Sequence, residues 1–204
     1  MGNSVCALII VRYFHLLKLF FTIVVIGSIN TTGLQATLKL GISFTMHRLM
    51  SLAIFIALVT LVVVASTQFL AGDWYQGMNQ PAWNPPALIV AIVWAVLYLL
   101  LAVSAWMLWE SARGASYLAL VWWFMQLLVS VVWSWLYFDL HRVGWAMVAM
   151  GVWLLLSLAT IKAFRSFRPE AASLIMPVAA WLVFALWLNF TQWRLNGGGL
   201  GSIF

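Results

Sequence analysis

An all-α, polytopic membrane fold is predicted for this chain: a bundle of five transmembrane helices preceded by an additional N-terminal hydrophobic segment. Three observations predict it. Of 204 residues, 66% are hydrophobic and 7% charged, with a mean hydropathy of +1.06, so a water-facing surface cannot be covered with polar groups. The apolar runs are continuous, which suits helices; barrel strands alternate apolar and polar residues over about ten positions. The few charges fall between those runs, and no shift of composition marks a separate soluble domain.

The spans follow in order. Leu49 to Leu70, Ala87 to Trp109, Ser116 to Phe138, Gly144 to Ala163 and Ala171 to Trp193 each approach the roughly 20 residues that cross a bilayer. Glu110 and Arg113, then Asp139, His141 and Arg142, then Lys162, Arg165, Arg168 and Glu170 mark the connections. With the first helix starting inside, Arg48, Arg113, Lys162, Arg165 and Arg168 lie on the cytoplasmic side, against Arg142 and Arg194 outside. That bias sets the expected orientation. Pro177 removes the amide that would bond the Ser173 carbonyl, so a bend or loose turn is expected there, as a tolerated membrane proline rather than a hinge.

Residues 1–45 form an N-terminal extension, residues 46–196 the membrane domain and residues 197–204 a glycine-rich tail. The extension carries Arg12, His15 and Lys18 before the short apolar run LFFTIVVIGSI. It reads as a signal peptide, as an extra helix if extended back through Ala7 to Ile10, or as sequence translated upstream of a start at Met46. The third reading is preferred, because Met46-His47-Arg48 followed by an apolar run is already a complete membrane-protein beginning. N-terminal sequencing of the expressed protein is expected to find Met46 first; a mature chain retaining Met1 contradicts this.

Between the first two spans lies DWYQGMNQPAWNPP, Asp73 to Pro86. Proline fixes φ, removes a donor and pushes the preceding residue toward extended geometry, so this segment is expected to be a stiff loop, neither helix nor inner strand. Helical spacing groups Trp94, Tyr98, Ala102, Ala105 and Trp109 on one face, with a small middle that leaves room. Gln126, Ser130, Trp133 and Ser134 share a second face, and Trp181, Ala185, Asn189, Gln192 and Asn196 a third. Lipid satisfies none of these amides and hydroxyls, so they are expected to point inward. Singly, such residues are ordinary packing glue and interfacial anchors. Together, Trp94 and Trp181 are expected near the outer ends of their helices, beside the proline-rich loop, where an aromatic cavity with a rigid cover suits a flat, largely apolar ring system.

Other chemistries find no support. Cys6 is the one cysteine, without CxxC or Cys/His spacing, and the +6 charge forms no clustered basic face for nucleic acid. His141 reads as a solvated loop histidine rather than a haem ligand, and His15 and His47 are weaker candidates. Without paired carboxylates, a nucleophile–base pair or a metal cluster, a conventional hydrolase or metalloenzyme is unsupported, and the scarcity of intramembrane charge argues against an ion-coupled pump.

The chain resembles the TspO/MBR family, the tryptophan-rich sensory proteins of bacteria and the translocator protein, or peripheral benzodiazepine receptor, of mitochondria. The resemblance runs from about Met46 to Asn196 and rests on Trp74-Tyr75, PAWNPP (Pro81 to Pro86), VWAVLY (Val93 to Tyr98), QLLVSVVWSWLYF (Gln126 to Phe138) and WLVFALWLNFTQWRLN (Trp181 to Asn196). It implies a five-helix bundle, usually dimeric, with the loop after the first helix covering a pocket for protoporphyrin IX or haem, and in some members for cholesterol or benzodiazepine-site ligands. Trp74, Trp94 and Trp181 match the family's pocket tryptophans. Ser130 stands where the family usually has asparagine and Gln80 where it commonly has lysine, so carbonyl-bearing and anionic ligands are expected to bind less tightly.

The candidate ligand-binding residues are therefore Trp74, Trp83, Trp94, Tyr98, Gln126, Ser130, Trp181 and Asn189, under a lid stiffened by Pro81, Pro85 and Pro86. No catalytic residue, metal or obligatory cofactor is expected; porphyrin or haem would be the ligand. Any light-dependent porphyrin degradation would be chemistry of the bound pigment and nearby indoles. The steroid motif proposed for mammalian relatives is absent from the last helix, since no tyrosine follows Tyr137. The expected setting is a multi-pass protein of a bacterial inner or outer membrane, with lipid, a tetrapyrrole and a second copy as partners. A sensory or regulatory role is preferred over transport of an amphipathic ligand and over a helical scaffold whose aromatics only pack.

Overall fold

A computed structural model describes residues 36–69, 72–111 and 117–198, with side chains from Met46 onward. The helices are α1 (Ala36–Thr67), α2 (Asp73–Gly77), α3 (Ala87–Ser111), α4 (Tyr117–Ser134) continued by a π-helical turn (Trp135–Asp139), α5 (Val143–Arg165), α6 (Pro169–Ser173) and α7 (Met176–Leu195). The chain divides into two compact units, Met1–Thr45 and Met46–Phe204. In the first unit only the helical backbone of residues 36–45 is described, so the signal, extra-helix and upstream-translation readings fall outside the described residues, as does most of the glycine-rich tail.

Among the described residues five stretches are long and apolar enough to cross a membrane: Met46–Thr67, Ala87–Ser111, Tyr117–Asp139, Val143–Arg165 and Pro169–Leu195. Every end lies within three residues of its sequence-based estimate. The last span is interrupted as Pro177 requires. Helix α6 stops at Ser173 and α7 begins at Met176, with Pro177 in the first turn, where a missing N–H costs nothing.

Two features depart from expectation. The first five residues of the Asp73–Pro86 segment are helical, because its prolines begin only at Pro81 and leave the earlier amides free to bond. Asp73 stands in the first turn, where a negative charge complements the helix dipole. The end of α4 widens into a π-turn, in which the Leu140 amide donates to the Trp135 carbonyl at 3.0 Å and the Arg142 amide to the Leu136 carbonyl at 2.9 Å. His141 then takes a left-handed conformation (φ 55°), uncommon for a side-chain-bearing residue, and α5 starts two residues later.

Lipid supplies no hydrophobic drive between helices, so association rests on close packing and interhelical hydrogen bonds. Ala102 and Ala105 of α3 are fully covered, and the Trp123 indole of α4 donates to the Leu101 carbonyl at 2.9 Å. Phe55 of α1 meets Trp123 edge-on at 5.6 Å. The α4–α5 seam is lined by Ala146, Ser157 and Thr160, and the Ser157 hydroxyl donates to Gln126 Oε1 at 2.6 Å.

The end away from the Asp73–Pro86 segment is fastened by polar groups. Glu110 Oε1 accepts from the Ser51 hydroxyl at 2.8 Å, its Oε2 lies 3.3 Å from Arg48 Nε, and Trp106 Nε1 donates to the Arg48 carbonyl. Arg48 is about half exposed, so the ion pair itself is worth little. Glu110→Ala is expected to lower stability by about 1 kcal/mol, mostly through the lost Ser51 bond, with little dependence on salt. Thermal unfolding in detergent at two ionic strengths checks this.

Candidate functional site

At the other end, the Asp73–Pro86 segment lies over the helices and runs down along α7. The Asn79 amide donates to Asn196 Oδ1 at 2.9 Å, and Asn196 Nδ2 returns a bond to the Asn79 carbonyl at 3.0 Å. One turn further down α7, Gln192 Nε2 donates to Gln80 Oε1 at 2.7 Å, while Gln192 Oε1 accepts from the Tyr137 hydroxyl at 2.7 Å. Trp83 then meets Phe184 edge-on at 6.0 Å, about three helical turns from Asn196. A backbone running at such depth has few partners for its amides. Pro81, Pro85 and Pro86 have none to satisfy, and the Asn84 amide donates to the Pro81 carbonyl at 2.9 Å. The prolines thus let an irregular segment lie among apolar helices.

Two aromatic clusters sit under this cover. The first lies beneath α2 and gathers Met78, Tyr137, Val143, Ala146 and Trp193 with Trp74, Tyr75, Trp133 and Phe138 packed against them. Trp74 stacks on His141 at 4.2 Å, so that exposed loop histidine is also a lid contact. Trp133 Nε1 donates to Asn189 Oδ1 at 3.1 Å, and Asn189 Nδ2 to the Val143 carbonyl at 3.1 Å. Helix α7 ends here with Gly197 at φ 83° and the Gly198 amide bonded to the Trp193 carbonyl at 2.8 Å, a left-handed cap that suits glycine.

The second cluster joins three helices. Trp94 of α3 stacks on Trp153 of α5 at 5.1 Å with 17° between planes, and meets Trp181 of α7 edge-on at 6.3 Å. Tyr98 lies 5.9 Å from Trp94 and 6.5 Å from Trp153, and Phe184 lies 4.9 Å from Trp181. Trp94 and Trp181 are part-exposed; Trp153 is 1% exposed. The indole N–H groups of Trp153 and Trp181 are buried without a hydrogen-bond partner, and so is Gln126 Nε2. Among the described residues Trp193 Nε1 and the Ser66 hydroxyl share that condition; native structures leave few buried groups so, and the two indoles of this cluster mark a place where an acceptor would be welcome.

The expected residues therefore separate. Trp94, Tyr98 and Trp181 come together, with Trp83 at their outer edge through Phe184. Trp74 belongs to the first cluster, and Asn189 is occupied by Trp133 and Val143. Gln126 is fully buried against Ser157; the Ser130 hydroxyl donates to the Leu127 carbonyl of its own helix at 2.7 Å and also neighbours the Tyr98 hydroxyl, which keeps it beside the second cluster. Trp181 is not at the outer end of its helix. It stands five residues after Met176, and Trp94 reaches it because the proline segment fills the space alongside the last turns of α7. Trp153 is the functional candidate that sequence reasoning missed. Its signal was present: Ala146, Ala149, Met150, Trp153, Ser157 and Thr160 trace one buried face of α5 at helical spacing.

Five membrane-length helices with an aromatic cluster under a polar-clasped cover define a multi-pass integral membrane protein with an internal aromatic site. The chain belongs to the TspO/MBR family, whose sequence profile matches residues 49–194. It is 34% identical to the translocator protein of Ovis aries over 138 residues, 65% of this chain and 82% of that protein. It is likewise 34% identical to the tryptophan-rich sensory protein of Cereibacter sphaeroides over 125 residues (61% and 77%). Against protein CrtK of Rhodobacter capsulatus it is 32% identical over 132 residues (64% and 82%).

Proposed function

We propose that this protein binds a flat, amphipathic tetrapyrrole, such as protoporphyrin IX or haem, against the Trp94–Trp153–Trp181 cluster, and that occupancy serves a sensory or regulatory role. The observation that carries this reading is the meeting of three indoles from three helices, two of them with unpartnered N–H donors. Part-exposed faces of Trp94 and Trp181 offer stacking area, and stacking tolerates a large aromatic plate better than any set of point contacts. The free indole N–H groups then donate to one or two ligand oxygens or nitrogens. The name of the relative from Cereibacter sphaeroides, a tryptophan-rich sensory protein, supports a signalling role. Two copies of the chain are the assembly we expect, each with its own site.

Titration of purified protein with protoporphyrin IX, followed by quenching of tryptophan emission, tests the reading. Saturable quenching at one ligand per chain is expected; a linear, non-saturating decline identifies partitioning into detergent. Trp153→Phe keeps the ring against Trp94 but removes its N–H, and is expected to weaken binding by about threefold to tenfold, the worth of one buried hydrogen bond. Affinity unchanged in that variant excludes the Trp153 N–H from contact with the ligand.

A further inference from the structure

We propose that the ligand reaches this cluster sideways, from the bilayer, through the seam between α3 and α7 at Trp83, and not from water past the lid. The proposal rests on the reading of the cluster as a planar-ligand site and adds the phase from which that ligand comes. It follows from a difference in how the two routes are closed.

Toward water, the cover is fastened by directed polar bonds. Asn79 and Asn196 exchange two hydrogen bonds, Gln192 links Gln80 to Tyr137, and Trp74 lies flat on His141. Lifting the cover breaks the Asn79–Asn196, Gln80–Gln192 and Trp74–His141 contacts together and leaves the buried Gln192 Nε2 without a partner. Toward lipid, only ring edges close the way. Trp83 touches Phe184 at 6.0 Å, Phe184 touches Trp181 at 4.9 Å, and Trp181 touches Trp94 at 6.3 Å. Among the described residues the Trp83 indole N–H makes no hydrogen bond, and exposure falls from 44% at Trp83 to 1% at Trp153.

Side-chain rotations part such rings on a fast time scale without unmaking a polar bond. The frame of this doorway is also suited to lipid, because Pro85 and Pro86 present no amide donors where α3 begins. A flat macrocycle of low water solubility resides in the bilayer, and successive ring faces give it a continuous apolar path inward. The partner is thus a membrane-dissolved planar amphiphile.

The test uses the full chain in lipid vesicles, with protoporphyrin IX dissolved in the bilayer as probe and stopped-flow quenching as readout. A Cys6→Ser protein carrying Asn79→Cys and Asn196→Cys is measured reduced and then oxidised, so that one sample reports the cover free and tethered. Oxidation is expected to change the association rate by less than about twofold, whereas a route past the lid predicts slowing by tenfold or more and overturns the proposal. Independently of whether that pair cross-links, Trp83→Ala is expected to raise the association rate by about tenfold. Slower association, or a rise in dissociation alone, makes Trp83 a wall of the site and also overturns it. Equilibrium titration of the parent protein comes first: absence of saturable binding defeats the functional reading itself, while saturable binding with lid-dependent rates defeats only the lateral route.

Discussion

Trp181→Ala is expected to weaken protoporphyrin IX binding by on the order of 30-fold, because a buried aromatic at the centre of a contact typically contributes about 2 kcal/mol or more. The geometry gives three reasons for so large an effect. Trp181 holds Trp94 edge-on at 6.3 Å, it contacts Phe184 at 4.9 Å, and its N–H is one of the unpartnered donors. Removing the indole deletes stacking area, a donor and the support of a neighbouring ring at once. Trp187→Ala provides the control. That ring is 60% exposed and, among the described residues, is in ring contact with Phe190 alone, so affinity should remain within about twofold. Equal losses in both variants would mean that the assay follows non-specific partitioning.

The largest stability effect is expected from Gln192→Leu. Gln192 is 3% exposed and makes two bonds, accepting from Tyr137 and donating to Gln80. Leucine fills similar space but leaves the Tyr137 hydroxyl and Gln80 Oε1 unsatisfied, at about 1–3 kcal/mol for each orphaned group when buried. Since Gln80 is only part-buried, a total of about 2–4 kcal/mol is expected, read as a lower unfolding temperature in detergent and faster proteolysis between Asn79 and Trp83. Gln192→Glu should fall between, because a carboxylate still accepts from Tyr137 but offers nothing to Gln80. Thr191→Ala serves as reference: its exposed hydroxyl bonds only the Trp187 carbonyl of its own helix, so a change beyond about 0.5 kcal/mol is not expected. Were Gln192→Leu as harmless as Thr191→Ala, the clasp would not hold the lid.

The same clasp explains Gln80. A lysine at that position has three donors and no acceptor, and would leave Gln192 Nε2 facing another donor. Here the glutamine pair replaces a charge with a matched donor and acceptor.

The spans were legible in the sequence because membrane-length apolar runs declare themselves without any knowledge of tertiary contacts, and all ten ends fall within three residues. Pro177 was equally legible, since its effect is local. The helical start of the lid was hidden by the prolines that follow it, and the π-turn at Trp135 has no composition of its own. At the site, period 3.6 places residues on a face but not at a depth. Trp94 and Trp181 can be paired from their faces, whereas Trp74 joins them only through the family resemblance, and its place in the loop does not show which cluster its ring enters. Asn189 illustrates the same limit. Its inward direction was predictable, but its commitment to Trp133 and the Val143 carbonyl depends on where α5 begins, which follows from the left-handed turn at His141.

The most direct measurement is a structure of the protein saturated with protoporphyrin IX. The macrocycle is expected within van der Waals contact, about 4 Å, of the Trp94 and Trp181 rings, with a ligand oxygen or nitrogen at hydrogen-bond distance from an indole N–H that has no partner here. A macrocycle found only on the outer, lipid-facing surfaces of the helices, with Trp94 still stacked on Trp153 and the indole donors still unpaired, would contradict the account.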